Sequence, residues 1–408
     1  MKISLIIPSR NNLKYLRWAY NSIRKNQGDH EVEICVADDA STDMTWKWCQ
    51  EKMNYDPYFK AIRNNGPERQ GLVILNDKLI NEVATNDICM VYHADMYLCP
   101  GAIDAIEKHM YGTAEEPVVE SRIVSLTRIE PPLHPPGPEK VLRDFGIEPE
   151  DFDEEGLLKE VQELKELHTN DPGVTEGIFA PWAFWKEDFQ QIGGHDKLFA
   201  PQSKEDSDIF NRFHLNGVEF IQTWEGFVYH MTSRGSRFNP SAGGAPGQDS
   251  PEWIGTTTKN TREFIRKWGH MIQHDKYMKP IVPPKYNVGI RIENCRDLQL
   301  LEAIEPWCDI IYTDGDIDNY IAMEQPKTSY DLSKRVHSLT DNDRYDYDDI
   351  LIEIDSNTFS NESFRHIQHL SEILANDNLE LGTFKLGDIK ITINNIETYE
   401  KDLIICKK

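Results

Sequence analysis

VEICVADDASTD, residues 32–43, decides the fold. Its apolar run is the length of one buried strand, and the strand is closed by two adjacent carboxylates, Asp38 and Asp39. Ser41, Thr42 and Asp43 then supply helix-capping side chains ahead of MTWKWCQEKM (44–53), so the segment reads as strand, turn, helix. The same rhythm extends outward. ISLIIP (3–8) is a second buried strand and precedes LKYLRWAYNSIRKN (13–26), which has helical spacing; LVILNDKLINEV (72–83) is another helix, and DICMVYHAD (87–95) a third strand. Strands alternating with helices predict an α/β fold on a mostly parallel, doubly wound sheet, with ligands beyond the carboxyl ends of the strands.

Beyond residue 112 the rhythm breaks. Residues 113–175 read as an insertion, a candidate acceptor region, containing the irregular loop PPLHPPGP (131–138) and an acidic helix from Glu148 to about Leu167. NPSAGGAPGQDSP (239–251) has the composition of a mobile loop, and 231–251 is a candidate lid. A helix at 259–273 and the linker KPIVPPK (279–285) close a first domain at 278. Residues 286–408 then form a smaller α/β domain with strands at 287–294, 309–314, 349–355 and 388–395 and a helix at 361–376, and carry no recognisable chemistry.

With 69 Asp and Glu against 44 Lys and Arg, the net charge of −25 repels a polyphosphate chain, which argues against nucleic acid as a partner. A smaller anion such as a nucleoside diphosphate needs a bound cation or a local Arg cluster. The seven Cys contain no C-x-x-C pair, so neither a disulfide framework nor a zinc site is predicted, and a reducing compartment fits. No segment approaches the ~18 apolar residues of a membrane span. These features predict a cytoplasmic protein, with a peripheral place at a membrane surface left open.

Four groups carry candidate chemistry. Asp38–Asp39 at a strand end can accept from a nucleobase N–H and ribose hydroxyls. His93-Ala94-Asp95 ends the third strand, and alternate residues of an extended segment face one site together. In SKEDSD (203–208) a capping-box-like Ser203/Asp206 pair is accompanied by more carboxylates, Glu205 and Asp208, than capping needs. EGFVYHMTSRGSRF (225–238) ends a strand at His230 and opens into a Gly-containing segment with Arg234 and Arg237, available to a donor diphosphate.

In this order and spacing the groups resemble family-2 glycosyltransferases of the GT-A, Rossmann-like fold, over about residues 1–235. The matching segments are IIPSRNN (6–12), DDASTD (38–43), RNNGPERQGLVILN (63–76), HAD (93–95), GGHD (193–196) and KEDSD (204–208). The resemblance implies a donor site of Pro8, Ser9, Arg10, Asn11, Asp38, Asp39, Arg63, Asn64, Gly71, His93, Ala94, Asp95 and Arg234. It implies Asp95 and His230 as ligands of a divalent ion, Asp206 as catalytic base with Glu205 beside it, and Trp182, Gly194 and Glu205 as acceptor contacts. His93 replaces the first Asp of the usual D-x-D, and an imidazole there favours Mn²⁺ over Mg²⁺.

The resulting expectation is an inverting, Mn²⁺- or Mg²⁺-dependent transfer of a sugar from a nucleotide donor, a UDP-sugar by resemblance, to a glycan or lipid-linked glycan acceptor. A sugar nucleotidyltransferase is the rival enzyme, disfavoured because SRNN is not a Gly-rich phosphate loop. A catalytically silent carbohydrate-binding or scaffold protein is the rival outside enzymes. The sequence leaves the oligomeric state open.

Overall fold

The computed structural model describes every residue except 139, 171–172, 175–178, 235–236, 241–242, 341–347, 377–379 and 407–408. The chain divides into two compact units, Met1–Thr256 with His274–Pro280 and Cys406, and Thr257–Gln273 with Ile281–Ile405.

The first unit holds strands β1 (Lys2–Ser9), β2 (Glu31–Asp39), β3 (Phe59–Asn64), β4 (Ile88–Val91), β5 (Met96–Leu98), β6 (Arg122–Glu130), β7 (Lys140–Leu142), β8 (Gly173–Val174), β9 (Trp182–Trp185) and β10 (Glu219–His230). Its helices are α1 (Leu13–Asn26), α2 (Thr45–Tyr55), α3 (Gly71–Lys78), α4 (Ala102–Tyr111), α5 (Glu154–Leu167), α6 (Lys186–Gln191) and α7 (Glu205–Leu215), and α8 (Pro251–Trp268) begins in it. Strand order is β3-β2-β1-β4-β9-β6-β10-β5, with β7 beside β6 and β8 beside β10. The first four strands are parallel, and β9 is antiparallel to both β4 and β6. Ile3, Leu5, Ile6 and Ile7 of β1 are fully buried because helices cover the sheet, as expected of parallel strands with continuous apolar runs. Leu16, Ala19 and Ile23 of α1 recur at helical spacing on its buried face, and Arg24 and Lys25 suit its C-terminal dipole.

Parallel register aligns the strand ends. Ser9 stands beside Asp38, Asp38 beside Arg63 and Asp39 beside Asn64, so the loops that carry polar residues open on one edge. The third expected strand is shorter than its apolar run: β4 stops at Val91, and His93–Asp95 form the turn into β5. Residues 113–175, expected as an insertion, contain β6, a central strand buried almost throughout, which the sequence does not announce. The acidic helix is α5, which buries Leu157 and Val161 but leaves Leu167 exposed at its last residue.

The second unit contains the rest of α8, then β11 (Val288–Glu293), β12 (Ile310–Thr313), β13 (Val336–Ser338), β14 (Ile350–Asp355), β15 (Gly382–Leu386) and β16 (Ile389–Ile393), with helices α9 (Leu298–Ile304), α10 (Ile317–Glu324), α11 (Asn361–Gln368) and α12 (Leu370–Asn376). Its sheet runs β13-β12-β11-β14-β16-β15; the first four are parallel and the last two antiparallel. Buried Glu305 accepts from Arg266 and Arg335, an ion network that satisfies charges no water reaches. The boundary expected near 278–286 differs from this division: Ile265 of α8 packs into the core of the second unit, and His274–Pro280 return to the first.

Candidate active site

The strand ends of the first unit surround a cavity of about 420 Å³ lined by residues from each of the four groups that carry candidate chemistry. Pro8, Ser9, Arg10, Asp39, His93, Ala94, Asp95, Glu205, Asp206 and His230 line it.

Three of these residues converge. Ligand atoms of His93, Asp95 and His230 all lie within 4.8 Å of one another, with His230 Nε2 3.3 Å from Asp95 Oδ1. The sheet brings His230 there, because β10 lies antiparallel to β5 with His230 opposite Met96. Asp95 is anchored from both ends: its carbonyl accepts from Met231 N, and its Oδ2 accepts from Arg234 N at 2.8 Å. His230 Nδ1 stands 2.8 Å from Glu130 Oε1, which orients the ring and leaves buried Nε2 aimed at the cluster without a hydrogen-bond partner. Burial opposes charge on the His230 ring, but Asp95 and Glu130 outweigh it and hold the imidazole up at about 9. Burial, then His230, pushes His93 down to about 4. A neutral His93, a depressed Asp95 and His230, whose Nε2 proton a bound cation would displace, form a donor set that fits a divalent cation.

The second element is the start of α7. Ser203 and Lys204 take positive φ, 81° and 73°, and turn the chain so that Glu205 and Asp206 enter the cavity. The expected capping box is absent: Lys204 is the N-cap and makes no side-chain cap. The Glu205 carboxylate instead folds back onto its own and Ser203's N–H, while its Oε2 has no hydrogen-bond partner. Burial raises the Asp206 carboxyl, with His195 and Arg128 opposing; burial, and next the charge of Asp206, raises Glu205 well above the ordinary range. Asp208 is fully buried and paired with Arg212 at 2.9 Å, so it holds the helix instead of facing substrate.

Several expected contacts prove to build the loops instead. Asp38 is fully buried; its Oδ1 accepts from Ser41 N, and Arg63 Nε stands 3.2 Å from its Oδ2. Arg63 is held by that pairing and by its contact with the Ser41 carbonyl. Asn11 Oδ1 accepts from Thr42 N, and Asn64 Nδ2 donates to Asp39. Asp39 does reach the cavity, but Asn64, Gln70 N and Gly71 N already occupy most of its acceptor sites. Gly71 is a close-approach residue: a Cβ there would lie 2.3 Å from the Pro201 carbonyl oxygen, at φ +79°. Gly194, at φ +75°, is likewise excluded from carrying a side chain by Asp77 and does not line the cavity.

Two further expectations are corrected. Trp182 was expected as an acceptor platform, but it is wholly buried on β9 against Phe184 and Phe210, where a large apolar ring belongs in the sheet core. Arg234 was expected to reach the donor diphosphate; its guanidinium instead donates to the Ile147 carbonyl, and only its backbone N–H serves the cluster. In the expected lid, Arg237 pairs with Asp249 at 2.6 Å; residues 235–236 and 241–242 of that segment lie outside the described residues.

Sequence reasoning missed Glu130, Arg128, Lys140, His134, Arg69 and Gln202, all of which line the cavity. The available signal was SRIVSLTRIE (121–130), an apolar run whose last alternate positions, Arg128 and Glu130, are charged.

With this geometry in hand, comparisons place the chain among known proteins. A family model described as glycosyl transferase family 2 matches residues 4–128. The abequosyltransferase RfbV of Salmonella typhimurium strain LT2 is 28% identical over 120 residues, 28% of this chain and 34% of that protein, so the chain spans about a third of that relative's length. Among solved structures, the mannosyltransferase PcManGT of Pyrobaculum calidifontis, in complex with GDP-Man and Mn²⁺, is 17% identical, with a TM-score of 0.39 and 56% of each chain covered. GalNAc-T7 with UDP, GalNAc and Mn²⁺ is 15% identical, with a TM-score of 0.44 over 68% of this chain and 49% of that one. No helix among the described residues is long and apolar enough to cross a membrane.

Proposed function

We propose that the N-terminal unit, whose residues 4–128 match the family model of glycosyl transferase family 2, carries out an inverting, divalent-cation-dependent transfer of a sugar from a nucleoside diphosphate donor to an acceptor hydroxyl on a glycan or lipid-linked glycan. The observation that carries it is the meeting, on one cavity, of the His93–Asp95–His230 cluster with the α7 carboxylate Asp206.

The leaving group is a diphosphate, and the protein's net charge is −25, so the donor needs local neutralisation. His93, Asp95 and His230 would hold the cation, which when bound neutralises charge on the departing diphosphate. Two imidazoles in three ligands favour Mn²⁺ over Mg²⁺. Ser9 and Arg10 at the end of β1 border the donor, and Glu130 keeps the His230 ring in place. Asp206 takes the proton of the acceptor hydroxyl as its oxygen bonds to the anomeric carbon, on the face opposite the bond to the diphosphate; that bond's electron pair leaves with the nucleoside diphosphate. A carboxylate raised by burial is a stronger base than one in water, which suits it to this proton.

The products test the reading. Incubated with Mn²⁺ and a panel of nucleotide sugars, the protein is expected to release a nucleoside diphosphate from one of them, by slow transfer to water or to added glycan. Release of pyrophosphate from a nucleoside triphosphate and a sugar 1-phosphate supplied in a parallel incubation, with the nucleoside monophosphate joined to the sugar phosphate, would mean a nucleotidyltransferase; no turnover in either incubation would favour a silent binding protein.

A further inference from the structure

The face of α3 that borders the cavity carries one polar side chain beside two leucines. Leu72, Leu75 and Asn76 are spaced three and four residues apart, so they share one helix face, and all three line the cavity. Asn76 is 3% exposed, and its Oδ1 has no hydrogen-bond partner among the described residues. A buried amide oxygen left unpaired costs stability, and Asn is a poorer helix former than a third Leu would be, so neither packing nor propensity accounts for it. The helix is fixed at its start: Asp39 accepts from Gln70 N and Gly71 N, and the Pro201 carbonyl accepts from Val73 N. At the end of β1, Ser9 Oγ is also buried without a partner among the described residues, and Ser9 lines the same cavity.

We infer that Asn76 reads the nucleobase of the donor, accepting from a base N–H through Oδ1 and donating its amide N–H to the acceptor atom beside it. This deepens the proposed transfer and rests on it. The strand order β3-β2-β1-β4-β9-β6-β10-β5 gives the direction in which the donor lies. The cation cluster, which meets the diphosphate, stands at the turn after β4 with His230 from the end of β10. Asp206, which meets the acceptor and therefore the sugar, belongs to α7, whose Phe210 packs on Trp182 of β9. The nucleoside is left with the β1–β2 side, where α3 is anchored through Asp39 at the end of β2. A side-chain amide presents an acceptor beside a donor, the complement of a base edge that carries an N–H beside an acceptor. Leu72 and Leu75 offer the flat ring apolar contact.

Isothermal titration of the full chain in saturating Mn²⁺ tests this, with UDP, CDP, GDP, ADP and inorganic diphosphate as probes. The tightest nucleotide is then compared with the same nucleotide methylated on the Watson–Crick edge of its base. Methylation is expected to weaken binding to the unaltered protein about tenfold or more. In Asn76→Leu the two forms should bind within about twofold of each other, while the affinity for inorganic diphosphate stays within about twofold of the unaltered protein's. Leu suits the helix and removes a buried unpaired acceptor, so the melting temperature should hold or rise; Asn76→Ala, which adds no bulk, should equalise the two forms in the same way. A methylation penalty as large in both variants as in the unaltered protein, or none in the unaltered protein, would overturn the inference and leave the donor reading intact. So would a loss of diphosphate affinity as large as the loss of nucleotide affinity, since Asn76 would then act on the diphosphate. Binding of none of the four nucleotides would overturn the donor reading and this inference with it.

Discussion

Replacing Asp206 by Asn is expected to lower transferase turnover by about two to four orders of magnitude while leaving the protein at least as stable. Asn cannot accept the acceptor's proton at neutral pH, so the chemical step loses its base while donor affinity, set elsewhere in the cavity, changes little. The stability half of the expectation follows from the sign of the shift. Asp206 is raised in the fold, chiefly by burial, so its charged form is less favourable in the folded protein than in the unfolded chain. Above the folded value the ionised carboxylate therefore costs stability, and a neutral isostere removes that cost. Asp206 also makes no cap that Asn would have to replace, since the N-cap is Lys204. A catalytic carboxylate and a structural one thus differ in both readouts: rate falls and melting temperature holds or rises for the first, whereas a structural carboxylate would leave rate intact and lower the melting temperature. Near-normal turnover in a folded Asp206→Asn variant would transfer the role to Glu205, the remaining carboxylate of α7 that lines the cavity.

Replacing Asp95 by Ala is expected to weaken nucleoside diphosphate binding in Mn²⁺ by on the order of 100-fold and to leave the weaker, metal-free affinity within about threefold. The asymmetry is the prediction. Asp95 supplies the one anionic ligand of the cluster, and without it His93 and His230 present two imidazoles and no charge to offset the cation. Asp95 Oδ2 also holds Arg234 N, so the variant can loosen the segment after β10. Asp95→Asn keeps an acceptor for that N–H and separates the two effects: metal linkage should vanish in both variants, and any general loss only in Ala. Equal weakening with and without Mn²⁺ in both would return Asp95 to the role of a turn residue.

How much of this was legible depended on whether a residue's role is set locally. β1, β2 and α1 declare themselves because an apolar run or a helical stripe lies within a dozen residues, and parallel register then places every strand end on one edge. Asp95 and His230 were readable for the same reason, as polar residues closing apolar runs. Glu130 was not, because its meaning comes from His230, one hundred positions away, through the pairing of β6 with β10. Arg128 and Lys140 are likewise neighbours only through the pairing of β6 with β7. The errors have a common source too. Asp38 and Trp182 have the chemistry of ligand contacts, but a carboxylate suits a tight turn and an indole suits a core, and only the packing decides. At Asp38, Ala40 at φ 55° folds the loop back over the side chain; at Trp182, β9 is covered by α7 through Phe210.

The central claim, a cation-linked nucleoside diphosphate site at the ends of β1, β4 and β10, is tested most directly by titrating UDP, GDP, CDP and dTDP into the full chain with and without Mn²⁺. The account predicts that one of them binds at least tenfold more tightly with Mn²⁺ present, and that this gain disappears in Asp95→Asn. Binding of none of the four, or binding indifferent to Mn²⁺ in the unaltered protein, would contradict it.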